Sequence, residues 1–303
     1  MNIYFPKSLK SDKKGIEFIS YVWGKCKKIY SYKIFWNLRF TSNIETNLLS
    51  VLGIIIDKLM KKGNKIFIEL RDNKGILRTI SSNIIEELFM KYSEFKFKAL
   101  QYKYINFSIV NNEIDKYLNE DLKELRLKEF EKVKIILSEL IANIKMHASS
   151  KQGSISAFID IKKDELVVSV CNIGKTIKQN IEEKVNYNFD NDLDAILWAL
   201  RKTNTTRNKD ESGGLGLFYL RKYLYEINGR VCIVSGKGMA ELNKWFYNEK
   251  NVNEIDISDS LIINSFFPGT LITISIDYDK NEGAYENYFV KEFDLFQIFN
   301  IKE

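Results

Sequence analysis

The chain has 303 residues, 45% hydrophobic and 28% charged, so it is globular and long enough for two domains rather than one. Its formal charge of +6 is spread among lysines with no dense block of Lys and Arg interleaved with aromatics, so nucleic acid is not an expected partner. Three scattered cysteines suit neither a disulfide framework nor a zinc site, the start MNIYFPKSLKSDKKG has no apolar signal core, and the longest apolar run, LLSVLGIII at 48–56, is too short to cross a bilayer; a cytoplasmic setting is expected.

In chain order, KIFWNLRF (33–40) and KIFIEL (65–70) read as buried strands, and NIETNLLSVLGIIIDKLMKKG between them has helical periodicity ending at Gly63. A helix at about 81–93 and strand-like segments near 96–110 complete a small α/β domain over 1–112. A long charged helical tract follows from 115 to 148. SISAFIDI and ELVVSV flank KKD as a hairpin. NDLDAILWALRK and GLFYLRKYLYEING read as helices, the second stopped by Asn228 and Gly229, and RVCIVSG and TLITISI are strands. The second domain, 113–303, is therefore helices on a largely antiparallel sheet, and residues 278–303 read as a terminal helix.

Within the charged tract, steps of four place Glu139, Asn143 and His147 on one stripe of a helix, beside an apolar surface of Leu137, Leu140, Ile141 and Ile144. CNIGKTI (171–177) follows a strand directly. SGGLGLFYLRK (212–222) is a glycine cluster feeding a helix, where a backbone can turn sharply and offer free N–H groups to a phosphate.

In this order, with PGTLITISI closing the domain, the three segments resemble the GHKL (Bergerat-fold, histidine-kinase-like) ATPase superfamily. The resemblance implies a two-layer α/β sandwich with a mixed, mostly antiparallel sheet, and ATP and Mg²⁺ as ligands. Glu139 would match the general base and Asn143 the side-chain oxygen that binds Mg²⁺. Asn172 stands where the family has the aspartate that accepts from the adenine amino group. Gly174 would allow close approach to the backbone. Gly213, Gly214 and Gly216, with the interleaved Leu215 and Leu217, would cradle phosphates, and Thr270 would match the threonine at the adenine edge. RKTNTTRNKDE (201–211) sits where the family has its mobile lid, with Arg201, Lys202 and Arg207 to neutralise phosphate charge. His147 reads better as pocket wall than as catalyst.

Two positions depart from the family's pattern. Asn172 is a neutral acceptor that can also turn its NH₂ outward, which implies weaker binding and weaker discrimination between adenine and guanine. Thr176 replaces a second glycine, which puts turnover in question more than binding.

The lone histidine leaves no separate acceptor histidine, so a sensor histidine kinase is not expected. Segment 33–70 resembles a STAS domain, the fold of anti-sigma-factor antagonists. That resemblance implies a regulatory ATPase or Ser/Thr protein kinase of the anti-sigma kind, acting on a STAS-fold or other regulatory protein, with a homodimer as an open alternative. The matching phosphoacceptor pair would be Glu45 and Thr46. Against that reading, Ser42 and Glu45 form the pattern of a capping box, which requires no phosphorylation. The competing function is a switch that binds nucleotide without turnover.

Overall fold

The computed structural model describes residues 1–45, 47–71, 77–81, 97–106, 119–120, 130–147, 152–160, 163–185, 187–201, 204, 216–227, 229–242, 255 and 260–277. It is a mixed α/β structure. Strands β1 (Asn2–Tyr4), β3 (Lys33–Asn37), β5 (Lys65–Arg71) and β6 (Leu77–Ser81) form a four-stranded sheet in the order β1-β3-β5-β6, parallel except for the β5–β6 pair. Strands β2 (Ser8–Leu9) and β4 (Asn43–Ile44) make a small parallel pair. Strands β7 (Phe97–Asn106), β8 (Gln152–Asp160), β9 (Glu165–Ile173), β10 (Arg230–Leu242) and β11 (Leu261–Asp277) form a five-stranded sheet in the order β10-β11-β9-β8-β7. Every pairing among these described strands is antiparallel, where a mixed sheet was expected.

Helix α1 (Lys13–Cys26) is capped by Asp12, whose carboxylate accepts from Gly15 N. Helix α2 (Asn47–Met60) joins β3 to β5 and stops before Gly63, whose φ of 77° only glycine adopts freely. α2 is buried nearly all round, which is how a helix reads when it lies between two layers. Its residues Leu48, Leu52 and Ile55 share one core with Ile34, Trp36, Ile66 and Ile68 of the small sheet and with Cys171, Phe267 and Leu271 of the large one.

On the other face of the large sheet lie α3 (Phe130–His147), α5 (Asp192–Ala199) and α6 (Gly216–Glu226), and α4 (Ile177–Val185) packs beside α5. Val133, Ile136, Leu137, Leu140 and Ile141 of α3 form a second core with Leu166, Val168 and Val170 of β9 and Ile272, Ile274 and Ile276 of β11. The layers therefore run small sheet, α1 and α2, large sheet, α3 and its neighbours.

Strand β7 lies before the expected boundary at 112 yet is the edge strand of the large sheet, and the large sheet carries helices on both faces where two layers were expected. The Ser42–Glu45 capping box does not form: Ser42 Oγ donates to Lys7 O, and the Glu45 carboxylate accepts from Ser11 N and Ser11 Oγ. A tertiary partner wins over the local one. The helix expected at 81–93, the acceptor Thr46, and the terminal helix of 278–303 lie outside the described residues. Among the described residues no helix is long and apolar enough to cross a membrane.

Candidate functional site

Side chains of a strand alternate between faces, and β9 uses this to serve both cores. Cys171 and Ile173 point toward α1 and α2, whereas Val168 and Val170 point toward α3. Asn172 continues the second series and is only 1% exposed. Its register partner on β11 is Thr270, whose partner on β10 is Ser235. Asn172, Thr270 and Ser235 thus form one polar row across three strands, ending an otherwise apolar face beneath α3.

The members of this row differ in how they are satisfied. Ser235 Oγ accepts from Ile177 N at 2.9 Å, donates to Gly269 O at 2.9 Å, and lies 3.0 Å from Thr270 Oγ1. Asn172 has no such company: neither its Nδ2 nor its Oδ1 has a hydrogen-bond partner among the described residues. Leaving a buried polar group unmade costs about 1–3 kcal/mol, so a buried amide in this condition is a candidate for pairing with the edge of a ligand. Gly269 is required beside it, since a Cβ there would stand 2.1 Å from Asn172 O.

Around this row, Gly174 is exposed and its N–H donates to Pro268 O at 3.0 Å. Pro268 sits inside a strand at an irregularity, where β10 shifts register between Ser235 and Gly236 and no ladder donor is needed. Thr176 starts α4: its hydroxyl accepts from Gln179 N, and the Gln179 side chain accepts from Thr176 N, a complete capping box. Lys175, to which the sequence assigns no role, bonds Glu183 and holds that carboxyl below its ordinary range.

Glu139 and Asn143 lie on α3, which packs on the face that carries Asn172. Glu139 is half-buried and has no hydrogen-bonding or ionic partner among the described residues, and Asn143 Nδ2 is a further buried group with none. Leu217, in the first turn of α6, packs against the same core. Gly216 opens α6. Arg207, Gly213, Gly214 and Leu215 lie outside the described residues, as does the side chain of His147. The fold brings Asn172 and Thr270 together as neighbours and puts α3 and the start of α6 over the same core.

Cys171 is fully buried on the opposite face from Asn172; burial pushes its thiol far up, and the Lys58 ammonium offsets this only in part. It is a packing residue rather than part of the site. Ser235 is the site residue that the sequence reading missed. Its signal is a polar residue continuing the inward series Val231 and Ile233 of an apolar strand.

Comparison with protein-family models, with curated proteins and with solved structures finds no match to this chain. Among the described residues no group of three or more His, Cys, Asp or Glu side chains could hold a metal ion. A magnesium ion carried in with a nucleotide needs no such cage, because it keeps waters and phosphate oxygens and takes one or two protein ligands.

Proposed function

We propose that this chain is a GHKL-like regulatory protein that binds Mg·ATP between α3 and the polar row of the large sheet, and hydrolyses it or phosphorylates Ser or Thr of a protein partner. The observation that carries the reading is the Asn172 amide, buried and without a hydrogen-bond partner among the described residues. An adenine edge offers one donor and one acceptor side by side, which is what a carboxamide pairs with in bidentate fashion. Thr270 supplies a hydroxyl next to it.

In this reading Asn143 would hold Mg²⁺, which would neutralise the charge that develops on the transferred phosphoryl group. Glu139 accepts the proton of the attacking water or acceptor hydroxyl at a carboxylate oxygen. The attacking oxygen bonds to the γ-phosphorus while the bond to the bridging oxygen breaks and ADP departs. Gly213, Gly214, Leu215, Gly216 and Leu217 cradle the phosphates, Gly174 keeps the backbone beside the base clear, and Arg207 neutralises phosphate charge from the lid. The parallel β3–α2–β5 unit supports a STAS-like reading of the N-terminal part, with a STAS-fold protein as the partner class to test first.

A second reading, binding without turnover, is favoured by Thr176, since a capping box fixes the turn where a second glycine would leave it free. Incubation with γ-labelled ATP and candidate STAS-fold proteins separates the readings: label on protein identifies a kinase, free labelled phosphate an ATPase, and bound nucleotide with neither a switch. Glu139→Ala is expected to lower phosphate release or transfer by about 10²–10⁴-fold with ATP still bound. Calorimetry detecting no binding of Mg·ATP to the wild-type chain sinks both readings.

A further inference from the structure

Charge is divided unevenly along the chain. Residues 1–71 contain fourteen Lys and Arg against five Asp and Glu, a net +9, whereas the remainder has 32 against 35, a net −3, within the +6 of the whole. All five of those carboxylates are engaged in the fold. Asp12 caps α1, Glu17 accepts from Asn264 N, Glu45 from Ser11, and Asp57 and Glu69 pair with Lys61 and Arg39. Most of these lysines have no ionic partner among the described residues.

The fold then gathers lysines that are far apart in sequence. The turn after α1 and the turn after α2 are bonded to each other: Ser31 N donates to Lys62 O at 3.1 Å, Lys65 N to Tyr32 O at 2.8 Å, and Asn64 Nδ2 to Ile29 O at 2.9 Å. Ser31 takes a left-handed φ of 51°, unusual for a residue with a side chain, and packs against Gly63 so closely that a Cβ there would stand 3.0 Å from Ser31 Oγ. Two interlocked turns make a rigid platform. Tyr30 and Tyr32 flank Ser31 and are 65% and 54% exposed. Lys27, Lys28, Lys33 and Lys65 are exposed around them, and none has an ionic partner among the described residues. Attraction to helix carboxyl ends explains lysines such as Lys25 and Lys61. It does not explain Lys33 and Lys65, which face each other in register on adjacent strands, an arrangement that costs stability until an anion joins it.

We propose that this platform binds single-stranded nucleic acid, with phosphates on Lys27, Lys28, Lys33 and Lys65 and unpaired bases stacked on Tyr30 and Tyr32. Every base has a π-face, so tyrosines beside a cationic track recognise a strand without reading its sequence. A duplex hides those faces, and among the described residues no helix or ribbon projects from the platform to enter a groove. A bilayer surface calls for an aliphatic or Phe anchor at the tip, and the exposed side chains named here include none. The inference is independent of the nucleotide site.

The test is fluorescence anisotropy of the full chain with a labelled oligothymidylate about 20 nucleotides long, titrated from ~50 to ~200 mM salt. Binding is expected, displaced by unlabelled single strand and not by the matched duplex. Tyr30→Ala with Tyr32→Ala should weaken it about tenfold or more and leave the salt slope unchanged. Lys33→Gln with Lys65→Gln should reduce that slope by about 1.4, as expected for two lost phosphate contacts on a single strand. Circular dichroism verifies that both surface pairs fold. No binding at low salt, equal displacement by duplex or by phosphatidylserine vesicles, or full affinity in the tyrosine pair overturns the proposal.

Discussion

Replacing Asn172 by Val tests the site at its centre, because it separates the folded state's interest from the ligand's. Asn172 is 1% exposed with both polar atoms unmade among the described residues. Each such group costs about 1–3 kcal/mol, and valine has nearly the same bulk with a β-branched shape that suits a strand. Two orphan groups would give as much as ~6 kcal/mol, but relaxation recovers part of it, so the ligand-free variant should gain about 1–3 kcal/mol. At ~2–4 °C per kcal/mol for chains somewhat smaller than this one, the melting temperature should rise by several degrees. Mg·ATP at a hundred times its dissociation constant stabilises the wild type by about 2.7 kcal/mol and should stabilise the variant by less than half as much, because the amide supplies only part of the binding. Thermal melts with and without Mg·ATP read both effects. A variant that melts lower than wild type without ligand means that the amide is satisfied inside the protein, and one that ATP still shifts fully means that the base lies elsewhere. Either result refutes the reasoning.

Asn172→Asp keeps an acceptor for the adenine amino group and makes it a charged one, but loses the amide's donor to the neighbouring ring nitrogen, so ATP binding should stay within about tenfold of wild type while the competition by GTP that the wild type allows should disappear. Competition of GTP against labelled ATP measures both. Gly269→Ala puts a methyl 2.1 Å from Asn172 O and 3.0 Å from Ile173 Cα, all backbone, so β9 and β11 must part; a loss of about 1–3 kcal/mol in urea denaturation and weaker nucleotide binding in calorimetry are expected. The thiols set an alkaline limit: burial pushes Cys26 from 9.0 up to about 11 and Cys232 up to about 12. A thiol that stays protonated in the fold contributes stability that is complete below pH 9 and is lost as pH rises toward 11, so melting temperature should fall across that window and fall less in Cys26→Ala.

Local patterns were legible wherever the chain's own periodicity sets the structure. The hairpin of β8 and β9, the Asn191-capped helix α5 and the β3–α2–β5 unit all follow from alternation, helical spacing and terminators. Helix α1 was not anticipated: its buried Ile16, Ile19, Val22 and Cys26 have helical spacing, but Gly15, Gly24 and three aromatics interleave with them and blur the period. Strand β7 was expected as a strand and only its partner was hidden, since pairing with β8 is a contact between segments some fifty residues apart that no local pattern encodes. Glu45 illustrates the same limit in reverse, where a good capping pattern yields to Ser11. At the candidate site, a resemblance names Asn172 and Thr270, but that they share one row and that the amide has no partner among the described residues are matters of packing. The lysines of 25–33 and 61–65 looked diffuse because β3, β4 and the 14-residue helix α2 separate them in sequence, and the β3–α2–β5 crossover turns that separation into adjacency.

That helix also bears on how the two halves relate. Tethered modules are joined by polar, sparsely packed interfaces, whereas α2 is sealed between sheets and hydrogen-bonded to two strands of the large one. Ser154 Oγ of β8 donates to Ser50 O at 2.7 Å, and Asn47 Nδ2 donates to Thr273 Oγ1 of β11 at 3.4 Å, with Ser169 Oγ of β9 3.2 Å from the same hydroxyl. Buried bonds of this kind are costly to leave unmade, so α2 cannot slide along the sheet without giving them up. β9 carries Cys171 into the α2 side and Asn172 out of the opposite side, one peptide apart. Removing the N-terminal elements would therefore strip the back of the strand that carries Asn172, and the described elements form one stack of layers, with a basic platform in the turns after α1 and α2 and, on the face that α3 covers, an amide without a partner among the described residues.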